Sequence, residues 1–267
     1  MTEPHSLQST ILGGAGFRHA FFTRNGGASA GAYESLSFSV GVGDEAENVR
    51  ENFARAARAL HVAPERVYCA AQVHGAGAVA IDGLQSPEEV LARTADAVVS
   101  AAADTACGVR IADCVPLLVA GRRSGAVAAI HAGWRGTVAG VVESGVCALR
   151  ALCDGDALVA AIGPHISGAV FEVSDDVAAL LAACSPDPSV VDRTRGPKPF
   201  VDLRRIVRAK LRALGLGDAD IDDVPGCTVR EPERFFSYRR DGARSGRHLA
   251  AIVVRRTTLK GIPASFA

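Results

Sequence analysis

The sequence predicts a single α+β domain, on three observations. Two apolar runs of strand length, Val115–Ala120 and Ala126–Ile130, flank the turn segment GRRSG. Segments with apolar residues at helical spacing, such as Val49, Phe53, Ala56, Ala57 and Leu60, are interspersed with further strand-length runs. No repeat or low-complexity linker divides the 267 residues, a length that suits one large domain or two small ones. With 48% hydrophobic and 22% charged residues, the chain can bury a substantial core.

In chain order, Phe17 to Thr23 reads as a strand leading into the loop RNGGASAGAY, with Arg24 at its head as a possible anion ligand. A helix follows from Glu45 to Leu60 with Asp44 as its N-cap. RVYCAAQVHGAGAVAI reads as two strands meeting near Gly75, which would point Gln72 and His74 to one face. Leu84 to Ala92 is a short helix, and TADAVVSAA a strand with Asp96 just before it. After the hairpin comes a helix from Thr137 to Leu152, then the strand LVAAI ending in GPHIS. VSDDVAALLAAC is a helix capped by Ser174, and the Pro-rich segment to Asp202 a surface loop. DLRRIVRAKLRALGL is an amphipathic helix stopped at Gly215, and a strand closes the chain after FFSYRRDGARSGRH.

Lys plus Arg and Asp plus Glu balance at 29 each, so nothing favours a nucleic-acid or anionic-membrane partner. The seven cysteines form no CxxC and do not resemble a disulfide framework. No secretory signal and no apolar run of about 18 residues is visible, and a cytoplasmic location is expected.

Chemistry concentrates at the hairpin, with Cys114 before its first strand and His131 at the end of its second. If four loop residues close it, Ala120 pairs with Gly125 and Cys114 falls opposite His131. Directly opposed side chains have Cβ atoms about 4.5–5.5 Å apart, close enough for two ligands of one metal or for a thiolate and its base. Catalytic zinc takes three protein ligands and keeps a position open; His74, at a strand end beside Gly75, is the better third on pattern, and His165 the other candidate.

QVHG (72–75), ADCVP (112–116), HAGWRG (131–136), GPHIS with FEV (163–173) and FFSYRRDG with SGRH (235–248), together with TRNGG (23–27), resemble the YfiH family. Its members are also called laccase-domain or polyphenol oxidase proteins and peptidoglycan editing factors. The resemblance runs from about Phe21 to Val254, with residues 1–16 left as an N-terminal extension. It implies one layered αββα domain with mixed β-sheets, related to a cysteine-dependent deamidating toxin fold. It implies one zinc ion on His74, Cys114 and His131. It further implies phosphorolysis of adenosine, inosine and methylthioadenosine, and deamination of adenosine to inosine. The expected partners are a purine nucleoside and phosphate, and the expected state a monomer or homodimer.

Within that reading Asp113 is the first choice for acid/base work, and Arg24, Arg135 and Arg239 for phosphate, since guanidinium forks suit its oxygens. Trp134, Phe236 and Tyr238 are the residues to stack on the base. Seven histidines, no two separated by one residue, are too few for a multicopper oxidase. Divalent copper outcompetes zinc in most N/S sites, however, and is the alternative ion for an adventitious polyphenol oxidoreductase activity. The alternative chemistry is a thiol hydrolase of peptidoglycan type, with Cys114 as nucleophile and His131 as base.

Overall fold

The computed structural model of the chain describes residues 3–256. Its first half contains β1 (Ser6–Leu7), α1 (Thr10–Gly14), β2 (His19–Phe22), α2 (Ala46–Ala59), β3 (Val67–Tyr68), β4 (Ala78–Ile81), α3 (Pro87–Leu91) and β5 (Ala97–Ser100). The central segment follows as β6 (Ala106–Ile111), β7 (Val115–Gly121), β8 (Val127–Ala132), α4 (Trp134–Ala139), α5 (Val141–Arg150) and β9 (Leu158–Ile162). The chain continues through α6 (Asp175–Ala182), β10 (Val191–Asp192), β11 (Phe200–Val201), α7 (Leu203–Ala213), β12 (Ile221–Asp223), α8 (Tyr238–Asp241) and β13 (His248–Val253).

Two mixed sheets stack face to face, one in the order β1-β2-β13-β6-β3 and the other β12-β9-β7-β8-β5-β4. Strand alternation builds the layers. In β7, Leu118 and Ala120 turn into the core between the sheets beside Val109, Ala250 and Ile252. Val115, Leu117 and Val119 turn the other way, beneath Val142 and Val146 of α5 and Ile206 and Leu211 of α7. On the far side of the first sheet, α2 sets Ala56 and Ala57 against Phe22 and Phe38. The result is the four-layered αββα arrangement, with every residue of β7 and β8 buried. Among the described residues, no helix is long and apolar enough to cross a membrane.

Several expectations need correction. Ser6 to Gly14 pack onto the domain: β1 pairs with β2, and Ser9 caps α1 and donates its hydroxyl to Asp222. A two-residue edge strand carries no periodicity by which sequence could reveal it. Asp44 does not cap α2. Glu45 holds that position, and the buried Asp44 accepts the Ser29 hydroxyl at 2.7 Å. The helix expected from Thr137 to Leu152 starts earlier, at Trp134, and breaks at Gly140, whose φ of +92° falls in the left-handed region.

The hairpin register also differs. Ala120 lies opposite Val127, and Pro116 opposite His131, because Gly121 joins the strand and the loop moves to residues 122–125. Asp156 holds that loop, accepting the backbone N–H groups of Arg123 at 2.9 Å and Ser124 at 2.7 Å. Local sequence has no sign of a partner so distant. The shift is by two residues, which preserves the side-chain face. Cys114 now stands across from Gly133 and diagonal to His131.

Candidate metal centre

Three segments converge where β7 begins and β8 ends. The strands expected to meet near Gly75 do not continue through it, because Gln72 pairs with another strand: its Nε2 donates to the Arg110 carbonyl and its Oε1 accepts the Arg110 N–H, both at 2.8 Å. Gln72 is thus tied to β6, and it lines the same cavity as His74. The chain turns instead, with His74 in the left-handed region at φ +59°. Such a conformation costs a non-glycine residue on the order of 1 kcal/mol or more and persists only where the surroundings impose it.

Asp96 imposes it. Its fully buried carboxylate accepts the backbone N–H groups of Val73 (3.2 Å), His74 (2.9 Å) and Gly75 (2.7 Å), and the Nδ1–H of His131 at 2.7 Å. One carboxylate thus holds the loop that presents His74 and orients the His131 ring, leaving Nε2 of His131 to face Cys114. Burial alone would raise the Asp96 carboxyl, but the His131 ring and the N–H groups of Gly75 and Val73 hold it below its ordinary value.

Asp113 does the corresponding work for the cysteine. At φ +88° it forms the turn before Cys114; its Oδ1 accepts the Thr228 hydroxyl and its Oδ2 the Arg239 N–H, each at 2.6 Å. Its carbonyl accepts the Ile166 N–H at 3.0 Å. Each carboxylate oxygen thus accepts one bond that holds the turn, and Asp113 also lines the cavity into which Cys114 faces.

The ligand atoms of His74, Cys114 and His131 all lie within 4.8 Å of one another, with Cys114 Sγ and His74 Nε2 at 3.8 Å. Tetrahedral zinc with bonds of about 2.3 Å to sulfur and about 2.0–2.1 Å to nitrogen would set such a pair roughly 3.5 Å apart. The donor set, the spacing and the carboxylate behind His131 fit zinc with one position left for solvent or substrate. Burial pushes the Cys114 thiol up, but His131 and His74 outweigh it and draw it down to about 6; burial lowers His131, while Cys114 and Asp96 together raise it above its ordinary value. A metal held there needs a thiolate and neutral imidazoles, so its affinity should fall as pH falls.

Gly133 makes room for the cluster. A Cβ at this position would lie 2.8 Å from His74 Cδ2 and 3.0 Å from Cys114 Sγ, though its φ of −71° suits any residue. Gly133→Ala should therefore lower zinc affinity by about tenfold or more, in the range of other supporting-residue losses, while far-UV circular dichroism stays unchanged. Competition against a zinc-binding dye checks this, and an unchanged affinity would show that the ligands are not packed as described.

The cluster lies on the wall of a cavity of about 910 Å³ lined also by Trp134, Arg135, Phe171, Tyr238 and Arg239. Of the expected substrate residues, Arg135 stacks over Trp134 at 4.4 Å, and Arg239 donates to the Glu172 carbonyl at 2.9 Å. Arg24 lies outside: its guanidinium donates to the carbonyls of Glu34 (2.7 Å) and Pro232 (2.9 Å) and covers Phe236. Phe236, 1% exposed, is likewise out of reach of a substrate. His165 donates Nδ1–H to the Gly163 carbonyl at 2.7 Å and joins no ligand set. His248 accepts the Phe236 N–H at 2.7 Å, and burial pushes it down to about 3. Arg110, Arg247 and Phe171 also line the cavity and were not singled out from sequence, since none belongs to a spacing with chemical meaning.

A family model described as multi-copper polyphenol oxidoreductase laccase matches residues 18–255. The chain belongs to this laccase-domain family. Among its relatives is a purine nucleoside phosphorylase of Streptomyces coelicolor, 40% identical over 235 residues that cover 88% of this chain and 93% of that protein. Another is the purine nucleoside phosphorylase YfiH of Escherichia coli K12, 35% identical, covering 82% and 86%. The crystal structure of YlmD from Geobacillus stearothermophilus superposes with a TM-score of 0.85 at 29% identity, covering 96% of this chain and 100% of that one. Despite the copper in the family's description, His74, Cys114 and His131 are the one potential metal cluster of three or more ligands among the described residues. That is too few side chains for a multicopper centre.

Proposed function

We propose that this laccase-domain protein is a zinc-dependent purine nucleoside enzyme. Its reactions are phosphorolysis of adenosine, inosine and S-methyl-5′-thioadenosine, and hydrolytic deamination of adenosine to inosine. The observation that carries the reading is the His74–Cys114–His131 cluster on the wall of a cavity large enough for a nucleoside. The names of the relatives support the substrate class.

The chemistry a zinc ion would supply there is Lewis-acid activation of water or of a substrate oxygen. The side chains supply the rest. Asp96 keeps His74 and His131 in ligand geometry, so little reorganisation is needed when substrate enters. Trp134, Phe171 and Tyr238 offer aromatic faces to a purine. In phosphorolysis a phosphate oxygen bonds to C1′ as the C1′–N9 bond breaks; the electron pair leaves on the base, which takes a proton from dihydrogen phosphate or water. In deamination water adds at C6 and ammonia leaves.

Adenosine incubated with zinc-loaded protein, with and without phosphate, tests both arms. Adenine and ribose 1-phosphate should form only with phosphate, and inosine in both tubes. No product in either tube would contradict the proposal.

A second reading draws on one specific contact, the His131 Nδ1–Asp96 bond, which completes a thiol–imidazole–carboxylate series with Cys114. A thiol hydrolase acting on an amide bond, as in peptidoglycan editing, would use it. That reading gives His74, 3.8 Å from the thiol, no task.

A further inference from the structure

We propose that Arg110 and Arg247 form the oxyanion subsite of the cavity, the position where inorganic phosphate binds for nucleoside phosphorolysis. The inference rests on the phosphorolysis reading above and adds to it the residues that hold the second substrate.

Five cationic side chains line the cavity, Arg110, Arg135, Lys198, Arg239 and Arg247, against the carboxylates of Asp113 and Glu172. Three of the five are exposed and already engaged. Arg135 stacks on Trp134, Lys198 lies 3.7 Å from Glu172, and Arg239 bonds the Glu172 carbonyl and covers Phe171. Arg110 and Arg247 differ from these in being half-buried; neither forms a close ion pair among the described residues, and Arg247 lies over the Tyr238 ring at 5.8 Å with the Asp113 carboxylate in its field.

Their backbone contacts leave most of each fork unused. Arg110 donates from Nη2 to the Ala70 carbonyl at 3.1 Å, and Arg247 from Nη1 to the carbonyls of Ser245 (2.6 Å) and Gly246 (3.0 Å). These bonds fix the direction of each side chain without neutralising its charge.

The sheet brings the two together. Arg110 on β6 lies opposite Leu249 on β13, and Arg247 immediately precedes β13, so an extended chain would make it the diagonal neighbour of Arg110. Diagonal neighbours on one face have Cα atoms about 7–8 Å apart, a gap a tetrahedral oxyanion can bridge between two guanidinium forks. Arg110 and Arg247 line the same cavity as His74, Cys114 and His131, and Arg247 is within electrostatic range of Cys114, Asp113 and Arg110, which puts the subsite beside the metal ligands. Two like charges half-withdrawn from water repel each other, and a bound dianion relieves that cost.

The test uses zinc-loaded protein and inorganic phosphate, comparing the parent chain with Arg110→Gln, Arg247→Gln and the matching Lys variants. Calorimetry gives the phosphate Kd, steady-state phosphorolysis gives the phosphate KM, and metal analysis confirms that zinc content is unchanged. Each Gln variant should raise both constants about 10- to 100-fold, the range expected for a lost charge-assisted hydrogen bond, and Lys should recover part of the loss. If Arg247→Gln melts below the assay temperature, Arg110→Gln alone decides the matter. Phosphorolysis with an unaltered phosphate KM in the Gln variants would remove the subsite and leave the phosphorolysis reading intact. Arginine-dependent phosphate binding with no base released from any nucleoside would keep the subsite and remove that reading. A parent chain that does not bind phosphate overturns the inference.

Discussion

Cys114→Ser should reduce zinc content from about one ion per chain to a small residue and carry phosphorolysis and deamination down with it. The thiolate is one of three ligands, and serine offers a hydroxyl that stays protonated in its place. Loss of a ligand should weaken binding by more than the roughly 10- to 100-fold typical of an outer-shell partner. The variant also separates the two chemical readings. If Cys114 is a nucleophile with an incidental metal, activity disappears while zinc remains; if it is a ligand, the two fall in parallel. Alkylation protection gives an independent readout, because bound zinc should slow modification of Cys114 and a chelator should restore it.

Asp96→Asn should be the most damaging change that touches no ligand atom directly. Asparagine keeps the shape but replaces one accepting oxygen with an NH2, which then faces hydrogen-bond donors. At least one of the four donors on Asp96, the N–H groups of residues 73–75 and Nδ1 of His131, loses its acceptor in a buried site. Each buried donor left unsatisfied costs about 1–3 kcal/mol. Urea unfolding should show a loss of roughly 2–5 kcal/mol, and zinc affinity should fall about 10- to 100-fold as His74 and His131 lose their orientation. A stability change within about 0.5 kcal/mol, typical of an uninvolved surface site, would show that Asp96 does not organise the centre.

The sequence made the elements legible and much of their pairing illegible, and the site shows why. Val115 to Ala120 and Ala126 to Ile130 announced two strands by composition, and α2 and α7 announced themselves by helical spacing. Register was misjudged because the loop is held by Asp156, more than thirty residues away, rather than by its own turn chemistry. The metal cluster emerged from sequence as Cys114 and His131 on one hairpin, with His74 preferred to His165 on pattern and by family resemblance. Spacing alone excluded neither histidine. Geometry separates them, since His165 turns its Nδ1 to the Gly163 carbonyl and His74 faces the thiol.

Asp96 and Asp113 both hold the site in ways that local sequence does not show. Asp113 drew attention as the neighbour of a ligand, yet φ +88° turns its carboxylate to Thr228 and the Arg239 backbone. In sequence Asp96 is only the residue before a strand, and the folded path of residues 73–75 and 131 around it gives it a role. Arg24 shows the opposite error. A Gly-rich loop with an arginine suggested an anion site, but that guanidinium is occupied by carbonyls on the far side of Phe236.

The most direct test of the shared ligand set is zinc K-edge X-ray absorption on protein purified without added metal. One sulfur at about 2.3 Å and two imidazole nitrogens at about 2.0–2.1 Å are predicted, with the remaining scatterer oxygen. A zinc shell without sulfur, or a chain that holds no stoichiometric metal when grown with zinc, would contradict the centre formed by His74, Cys114 and His131.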